Sequence, residues 1–355
     1  MKQCPQCRHK ALKITRYQDQ EIDVCPSCRG LWFEAGEFDA ALGNDEKEPV
    51  IEGKHRKAHE STDMSCPDCD ATLDRHHLLK GYEVEIERCP AGHGIWIERE
   101  ELDEALAAEH LHEPLERLND KTSWRTWLFQ FVTQMPVEYN IRPRQRPWVT
   151  WSLILVNTLI FVASMVDLRF AELSMQGAMI PEQISTGNHL TTLLTSQFLH
   201  GGWMHLIGNM YFLWIIGDNL EDALGHRRFL LAYLGCGTVA ALAQTLIEPS
   251  STIPVIGASG AIAGLFGLYL LWFRKASLTF MIFVYQKKVA PWVFFLIWLG
   301  INVFGMATGA QGVAYMAHIG GFVCGLVLGY LLLNWVRQNY PLLQLLNSDK
   351  VVVQR

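Results

Sequence analysis

Charge is scarce in this chain. Only 19% of its 355 residues are Asp, Glu, Lys or Arg, against roughly 25% in an ordinary soluble domain. Half of the residues are hydrophobic. The first third has no basic excess: residues 1–123 carry 16 Lys and Arg against 27 Asp and Glu, and the remainder carries 14 against 9, so −11 and +5 sum to the −6 of the whole. These shortages exclude a single soluble enzyme, a disordered chain and a nucleic-acid binder that relies on a basic patch. The opening residues, MKQCPQCRHK, hold no apolar run, so no cleavable leader is expected. Two solvents are implied: water for an acidic front and an apolar medium for the rest.

Cysteine is nearly confined to the front, with seven of nine in the first 89 residues. Cys4-x2-Cys7 is followed seventeen residues on by Cys25-x2-Cys28, and Cys66-x2-Cys69 nineteen residues on by Cys89-x3-His93. Two knuckles at such spacing suit one tetrahedral zinc ion between two turns. The expectation is two structural zinc sites, Cys4, Cys7, Cys25, Cys28 and Cys66, Cys69, Cys89, His93, with His76 and His77 competing for the last place. Disulfides are the weaker reading, because nothing directs this end to an oxidising compartment.

The two sets form an internal repeat. At an offset of 64, Cys25, Gly30, Trp32, Glu34, Glu37, Asp39 and Leu42 recur as Cys89, Gly94, Trp96, Glu98, Glu101, Asp103 and Leu106. Each unit resembles the small zinc ribbons related to transcription factor IIB: knuckle, β-hairpin, knuckle, short acidic helix. The second departs from the pattern, with Gly92 where Cys28 would fall and His93 one residue on. Net negative charge argues against nucleic acid and for a cytoplasmic protein adaptor or metal sensing.

Behind the ribbons, Trp124–Tyr139 mixes aromatic and polar residues, as an interfacial helix does. Six apolar stretches follow, about 148–167, 203–220, 228–247, 256–273, 289–306 and 314–336, most of them near the roughly 20 residues a bilayer requires. Arg142, Arg144, Arg146, Arg227, Arg228, Arg274, Lys275, Lys287, Lys288 and Arg337 all fall on one side of the implied topology, and Arg169 alone on the other. The positive-inside rule then puts both termini and both ribbons in the cytoplasm, in the inner membrane of a bacterium.

In that topology spans two, four and six enter from outside, and their polar residues fall at one depth. Span two carries His205 and Asn209, span four Ser259 and span six His318. A serine hydroxyl is a poor nucleophile until a base takes its proton, and His318 is the candidate base. The oxyanion formed on attack needs donors, for which His205, the Asn209 amide and the backbone N–H of Ser259 are candidates. Glycines around Ser259 and His318 permit the helices to approach. Asp218, Glu221 and Asp222 read as a structural charge network with Arg227 and Arg228.

HGGWMHLIGN, GASG and AHIGGFVCG together resemble the rhomboid intramembrane serine proteases over roughly residues 150–336. The resemblance implies a six-helix bundle with a water-filled cavity, Ser259 as nucleophile, His318 as base of a dyad, and His205 and Asn209 on the oxyanion side, with His200 matching a further family histidine. Two positions depart from it. Thr191 and Thr192 stand where a Trp-Arg pair is usual, and Ala263 stands where an aromatic residue commonly supports the base.

The expected fold is an all-α polytopic membrane bundle of six transmembrane helices preceded by two zinc ribbons. The expected domains are a ribbon at 1–45, linker 46–64, a second ribbon at 65–110, a linker with interfacial helix at 111–147, the membrane domain 148–337 and a cytoplasmic tail 338–355. The expected activity is cleavage of transmembrane protein substrates near the outer face of the lipid bilayer, with no cofactor for catalysis. The alternative is an inactive relative that binds or dislocates membrane clients.

Overall fold

The computed structural model describes residues 2–17, 20–41, 56–79, 81–106, 123–138, 143–340, 343 and 346–352. Residues 42–55 and 107–122, which include Leu42 and much of the two expected linkers, lie outside the described residues, as do Tyr139, Arg142 and residues 353–355. The chain forms two compact units, Met1–Asp120 with Ser348–Gln354, and Lys121–Asn347.

In the first unit the two ribbons share one sheet. The first contributes β1 (Lys13–Tyr17), β2 (Gln20–Val24) and β3 (Leu31–Glu34), then α1 (Glu37–Ala41). The second contributes β4 (Arg56–Ser65), β5 (Thr72–Leu79), β6 (Tyr82–Arg88) and β7 (Gly94–Ile97), then α2 (Leu102–Leu106). The strand order is β1-β2-β3-β7-β6-β5-β4, so the ribbons join where β3 pairs antiparallel with β7. Residues 56–64, expected as linker, instead form with Ser65 the outer strand on β5. The tail returns to this unit: the Val352 amide donates to Gly81 O and the Glu83 amide to Lys350 O, both at 2.8 Å. Val351 is fully buried opposite Tyr82.

The second unit is helical. It opens with α3 (Trp124–Thr133), capped by the Ser123 hydroxyl and ended by a left-handed Gln134. This is shorter than the aromatic pattern suggested, because Pro136 follows and the chain then turns into β8 (Val137–Glu138). The long helices are α4 (Trp148–Val166), α8 (Trp203–Leu224), α9 (His226–Ile247), α10 (Ser259–Trp272), α11 (Pro291–Ala307) and α12 (Tyr315–Leu331), the last bent into α13 (Leu333–Asn339). Between α4 and α8 lie α5 (Leu168–Met175), α6 (Pro181–Ser185) and α7 (Thr192–Thr195). A hairpin of β9 (Leu278–Ile282) and β10 (Tyr285–Val289) links α10 to α11 and pairs with β8.

Among the described residues two helices, α4 and α9, are long and apolar enough to cross a membrane, or three if α12 and α13 act as one span bent by 57°. α10 and α11 are apolar but shorter. The fourth apolar stretch begins at residue 256, yet its helix begins only at Ser259, and its 14 residues reach about 21 Å at 1.5 Å per residue. The outward faces are apolar: Leu155 and Leu159 on α4, Ile297, Ile301 and Phe304 on α11, and Val323 and Val327 on α12 are all exposed. A bundle as apolar outside as inside suits hydrocarbon, not water.

Two of the helices, α10 and α12, pack through glycine. A Cβ added at Gly325 of α12 would stand 1.8 Å from Gly264 O of α10, and one at Gly321 would stand 2.1 Å from Gly260 O. No other residue permits that approach, and it fixes the separation between the helices that carry Ser259 and His318.

The charge network at the α8–α9 junction has other partners than the sequence suggested. Glu221, fully buried, accepts from the Val149 and Thr150 amides at 2.8 Å and so caps α4. Oε1, the oxygen that takes the Val149 amide, also meets His226 Nδ1 at 2.5 Å. Asp222 accepts from the Arg144 amide and guanidinium at 3.0 and 3.3 Å, while Arg228 lies over the Trp335 ring.

Candidate active site and metal centres

Ser259 is the first residue of α10, so its N–H has no intrahelical acceptor. The loop before it is held on both sides. Met179 and Val255 exchange backbone hydrogen bonds at 3.1 and 2.7 Å, and the Gly257 amide donates to Ser196 O at 2.9 Å. The half-buried Ser259 hydroxyl donates to His318 Nε2 at 2.8 Å. Serine and histidine lie 59 residues apart in sequence, and the glycine contacts between α10 and α12 bring them together.

His205 and Asn209, one turn apart on α8, line the same cavity of about 740 Å³ as Ser259 and His318. Asn209 Nδ2 donates to His200 Nε2 at 3.0 Å. The Gly201 amide donates to His205 Nδ1 at 3.5 Å, which leaves Nε2 as that ring's protonated nitrogen. Nε2 faces the serine loop, since a Cβ on Gly257 would stand 2.6 Å from it and 3.7 Å from Asn209 Nδ2. Two side-chain donors and the open end of a helix thus border the space in front of Ser259 Oγ.

Two neighbours of His318 come from α11, where the sequence reading named no site residue. Asn302 Oδ1 meets His318 Nδ1 at 2.7 Å, and the Trp298 ring lies tilted by 33° at 5.8 Å between centroids from the imidazole. Asn302 was legible in principle as the sole carboxamide in the apolar run 289–306. Trp298 supplies an aromatic surface beside the imidazole; position 263, where one was expected, is a fully buried alanine. Thr192, at the other departure, is buried and bonds His189 O.

In the ribbons Cys4, Cys7, Cys25 and Cys28 gather their sulfurs in one cluster, and Cys66, Cys69, Cys89 and His93 form a second, each with all ligand atoms within 4.8 Å of one another. A tetrahedron with Zn–S near 2.3 Å has edges of roughly 3.8 Å. The separations fit it: Cys4–Cys28 is 3.7 Å, Cys7–Cys25 3.9 Å, Cys69–Cys89 3.6 Å, and Cys66 to His93 Nδ1 3.8 Å. His76 and His77 lie on β5, outside the cluster. The fourth knuckle is one residue out of step because its left-handed turn falls at Gly92 (φ 79°), three residues after its cysteine, whereas Arg8, Arg29 and Asp70 take that conformation four residues after theirs. Burial alone raises a thiol, but at Cys25 the amides of Cys28 and Ser27 and the neighbouring thiols outweigh it and bring the group down to about 7. Cys89 is brought to about 7 against burial by the His93 and Ala91 amides and the thiols of Cys66 and Cys69.

Two stretches of the chain match known families. Residues 187–335 match the family described as "Rhomboid domain", and residues 3–43 match "Transcription factor zinc-finger". The chain is 34% identical over 158 residues to "RHOMBOID-like protein 6, mitochondrial" of Arabidopsis thaliana, covering 44% of this chain and 48% of that protein. It is 32% identical over 161 residues to "Rhomboid-like protease 5" of Toxoplasma gondii, covering 43% and 18%. It is 29% identical over 143 residues to "Rhomboid protein 1, mitochondrial" of Saccharomyces cerevisiae, covering 39% and 41%. The match spans about half or less of each relative's own length. The chain carries a rhomboid domain with a zinc ribbon before it.

Proposed function

We propose that this chain is an intramembrane serine endopeptidase with a Ser259–His318 dyad. The observation that carries the reading is the 2.8 Å contact between Ser259 Oγ and His318 Nε2 inside a cavity that also holds His205 and Asn209. A substrate transmembrane segment enters from the bilayer and unwinds at residues that lose little by leaving a helix. Ser259 Oγ attacks a peptide carbonyl carbon as its proton passes to His318 Nε2. The oxyanion is met by Asn209 Nδ2, His205 Nε2 and the Ser259 N–H. The C–N bond then breaks, the leaving amine takes the proton from Nε2, and a serine ester remains. Water attacks that ester with His318 again as base, releasing the carboxylate and restoring the hydroxyl.

Six spans carry this site in the proposal: α4, α8, α9, α10, α11 and α12. Both termini lie on the side where Lys and Arg collect, the cytoplasmic face of a bacterial inner membrane. Two zinc ions, held by Cys4, Cys7, Cys25 and Cys28 and by Cys66, Cys69, Cys89 and His93, supply folding energy to the ribbons. The ribbons recruit or regulate through a cytoplasmic protein partner, while Ser259 and His318 perform the hydrolysis.

The test is labelling by a fluorophosphonate probe, in detergent and in liposomes. Wild-type protein should label, and Ser259→Ala and His318→Ala should each lose labelling by about 10³-fold or more. A folded wild type that does not label in either setting would overturn the reading and leave a client-binding, non-cleaving relative in its place.

A further inference from the structure

The base in this site has a third group behind it. We infer that Asn302 is a positioning residue that fixes the tautomer and orientation of His318, so that the working unit is Ser259–His318–Asn302, drawn from three helices; the inference rests on the serine-protease reading above.

Elementary hydrogen-bond chemistry sets every proton in the relay. Asn302 Nδ2 donates to Trp298 O at 2.8 Å. A carbonyl oxygen only accepts, so the amide can have its nitrogen only on that side, which turns Oδ1 toward His318 Nδ1 at 2.7 Å. Oδ1 also only accepts, so Nδ1 must be the protonated nitrogen. Nε2 then carries the lone pair, and it is Nε2 that lies 2.8 Å from Ser259 Oγ. One backbone carbonyl on α11 thus determines, through two side chains, that the neutral imidazole presents a base to the serine. Asn302 is 5% exposed, where an apolar residue would cost less to place in hydrocarbon, so its carboxamide answers to something other than stability. The Trp298 ring, one turn away on the same helix, restrains the imidazole from its face. When the imidazole is protonated in the reaction, Nδ1 keeps its hydrogen and Oδ1 its role, so no group in the relay has to reorganise.

An asparagine here differs from a carboxylate in consequence. It orients the ring without adding a second charge to the imidazolium, which suits a site bordered by apolar helices.

The test uses the full chain and a fluorophosphonate, in which Ser259 Oγ displaces fluoride at phosphorus and its proton passes to His318 Nε2. The readouts are the maximal inactivation rate and the half-saturating probe concentration, with a thermal unfolding midpoint for each variant. Asn302→Leu keeps the branch at Cγ and removes the acceptor; it should lose about 10- to 10³-fold in maximal rate with the half-saturating concentration unchanged. Asn302→Asp restores an oxygen acceptor at Nδ1 and should regain at least tenfold over the leucine variant. A purely structural role would lower the unfolding midpoint and leave the rate of the folded fraction intact. Ser259→Ala and His318→Ala run beside them. If these still label, the protease reading itself has failed. If they do not label while both Asn302 variants match wild type in maximal rate, only the positioning role is overturned.

Discussion

Trp32 lies directly opposite Trp96 where β3 pairs with β7, and the two are the same position of the 64-residue repeat. The neighbouring pairs, Leu31 with Ile97 and Phe33 with Ile95, keep the same symmetric register. The two ribbons therefore meet as a closed two-fold pair would, each giving the same edge to the other. Both indoles are fully buried in one core with Cys4, Cys25, Cys66 and Cys89, so two units too small to bury a core alone share one.

The interlock depends on Gly30 and Gly94, again the same repeat position. A Cβ at Gly30 would stand 2.2 Å from Cζ2 of the Trp96 ring, and one at Gly94 would stand 2.2 Å from Phe33 O. Gly30→Ala or Gly94→Ala should destabilise the sheet by about 1–3 kcal/mol, the usual cost of overpacking. The check is the midpoint of the ribbon's thermal transition in zinc-replete full-length protein. Midpoints equal to wild type would mean that the joined sheet does not govern ribbon stability.

Metal loss from one ribbon should cost the other. With thiols of both clusters in one core, removal of Cys25 and Cys28 together should lower bound zinc by more than one equivalent and make the second ion easier to chelate. Zinc content by elemental analysis, and release to a chelator followed by a colorimetric indicator, read both effects. A variant that keeps one full equivalent at wild-type chelator resistance would show the ribbons to be independent.

The joining of the ribbons was half legible. The repeat and the cysteine ligands follow from spacing, because a tetrahedral site constrains sequence separation tightly, whereas His93 was open to competition from His76 and His77. Yet nothing in the spacing says which edge strand pairs with which, and Arg56–Ser65 is too polar to stand out as a strand. In the helical unit, His205, Asn209, Ser259 and His318 were visible as polar groups in apolar runs that topology brings to one level. Asn302 is just as polar in just as apolar a run. Its significance depends on the rotation of α11 about its axis, which tertiary packing sets and a nearly uniform apolar stretch such as PWVFFLIWLGINVFGMA does not encode. For the same reason nothing in that stretch marks out Trp298 among its other aromatics.

The oxyanion side offers a graded test. Asn209 spends one N–H on His200 Nε2 and has a second for the developing charge. Asn209→Ala should lower the maximal fluorophosphonate rate by about 10²- to 10³-fold, the usual effect of one lost oxyanion donor. His200→Ala removes only the group that orients Asn209 and should cost less, about tenfold. Equal rates in wild type and Asn209→Ala, with serine labelling intact, would take Asn209 out of the site.

The contact between α10 and α12 should be the part of the site least tolerant of change, although no atom in it reacts. Gly264 and Gly325 meet so closely that a Cβ on Gly325 would stand 1.8 Å from Gly264 O and 2.6 Å from Gly264 C. Backbone cannot yield as a flexible side chain would, so Gly325→Ala forces the two helices apart. Ser259 and His318 ride on those helices, and their 2.8 Å contact leaves little room, because proton transfer requires about 2.6–3.2 Å. The expected outcome is a loss of about 10²-fold or more in fluorophosphonate labelling, together with a destabilisation of about 3 kcal/mol. Cys324→Ala, one residue earlier on α12, removes a side chain without adding bulk at the contact and should keep most of the labelling. Labelling rate and unfolding midpoint measured on the same preparations separate the two effects. If Gly325→Ala labels at the wild-type rate, close packing of these helices is not what brings the serine to its base.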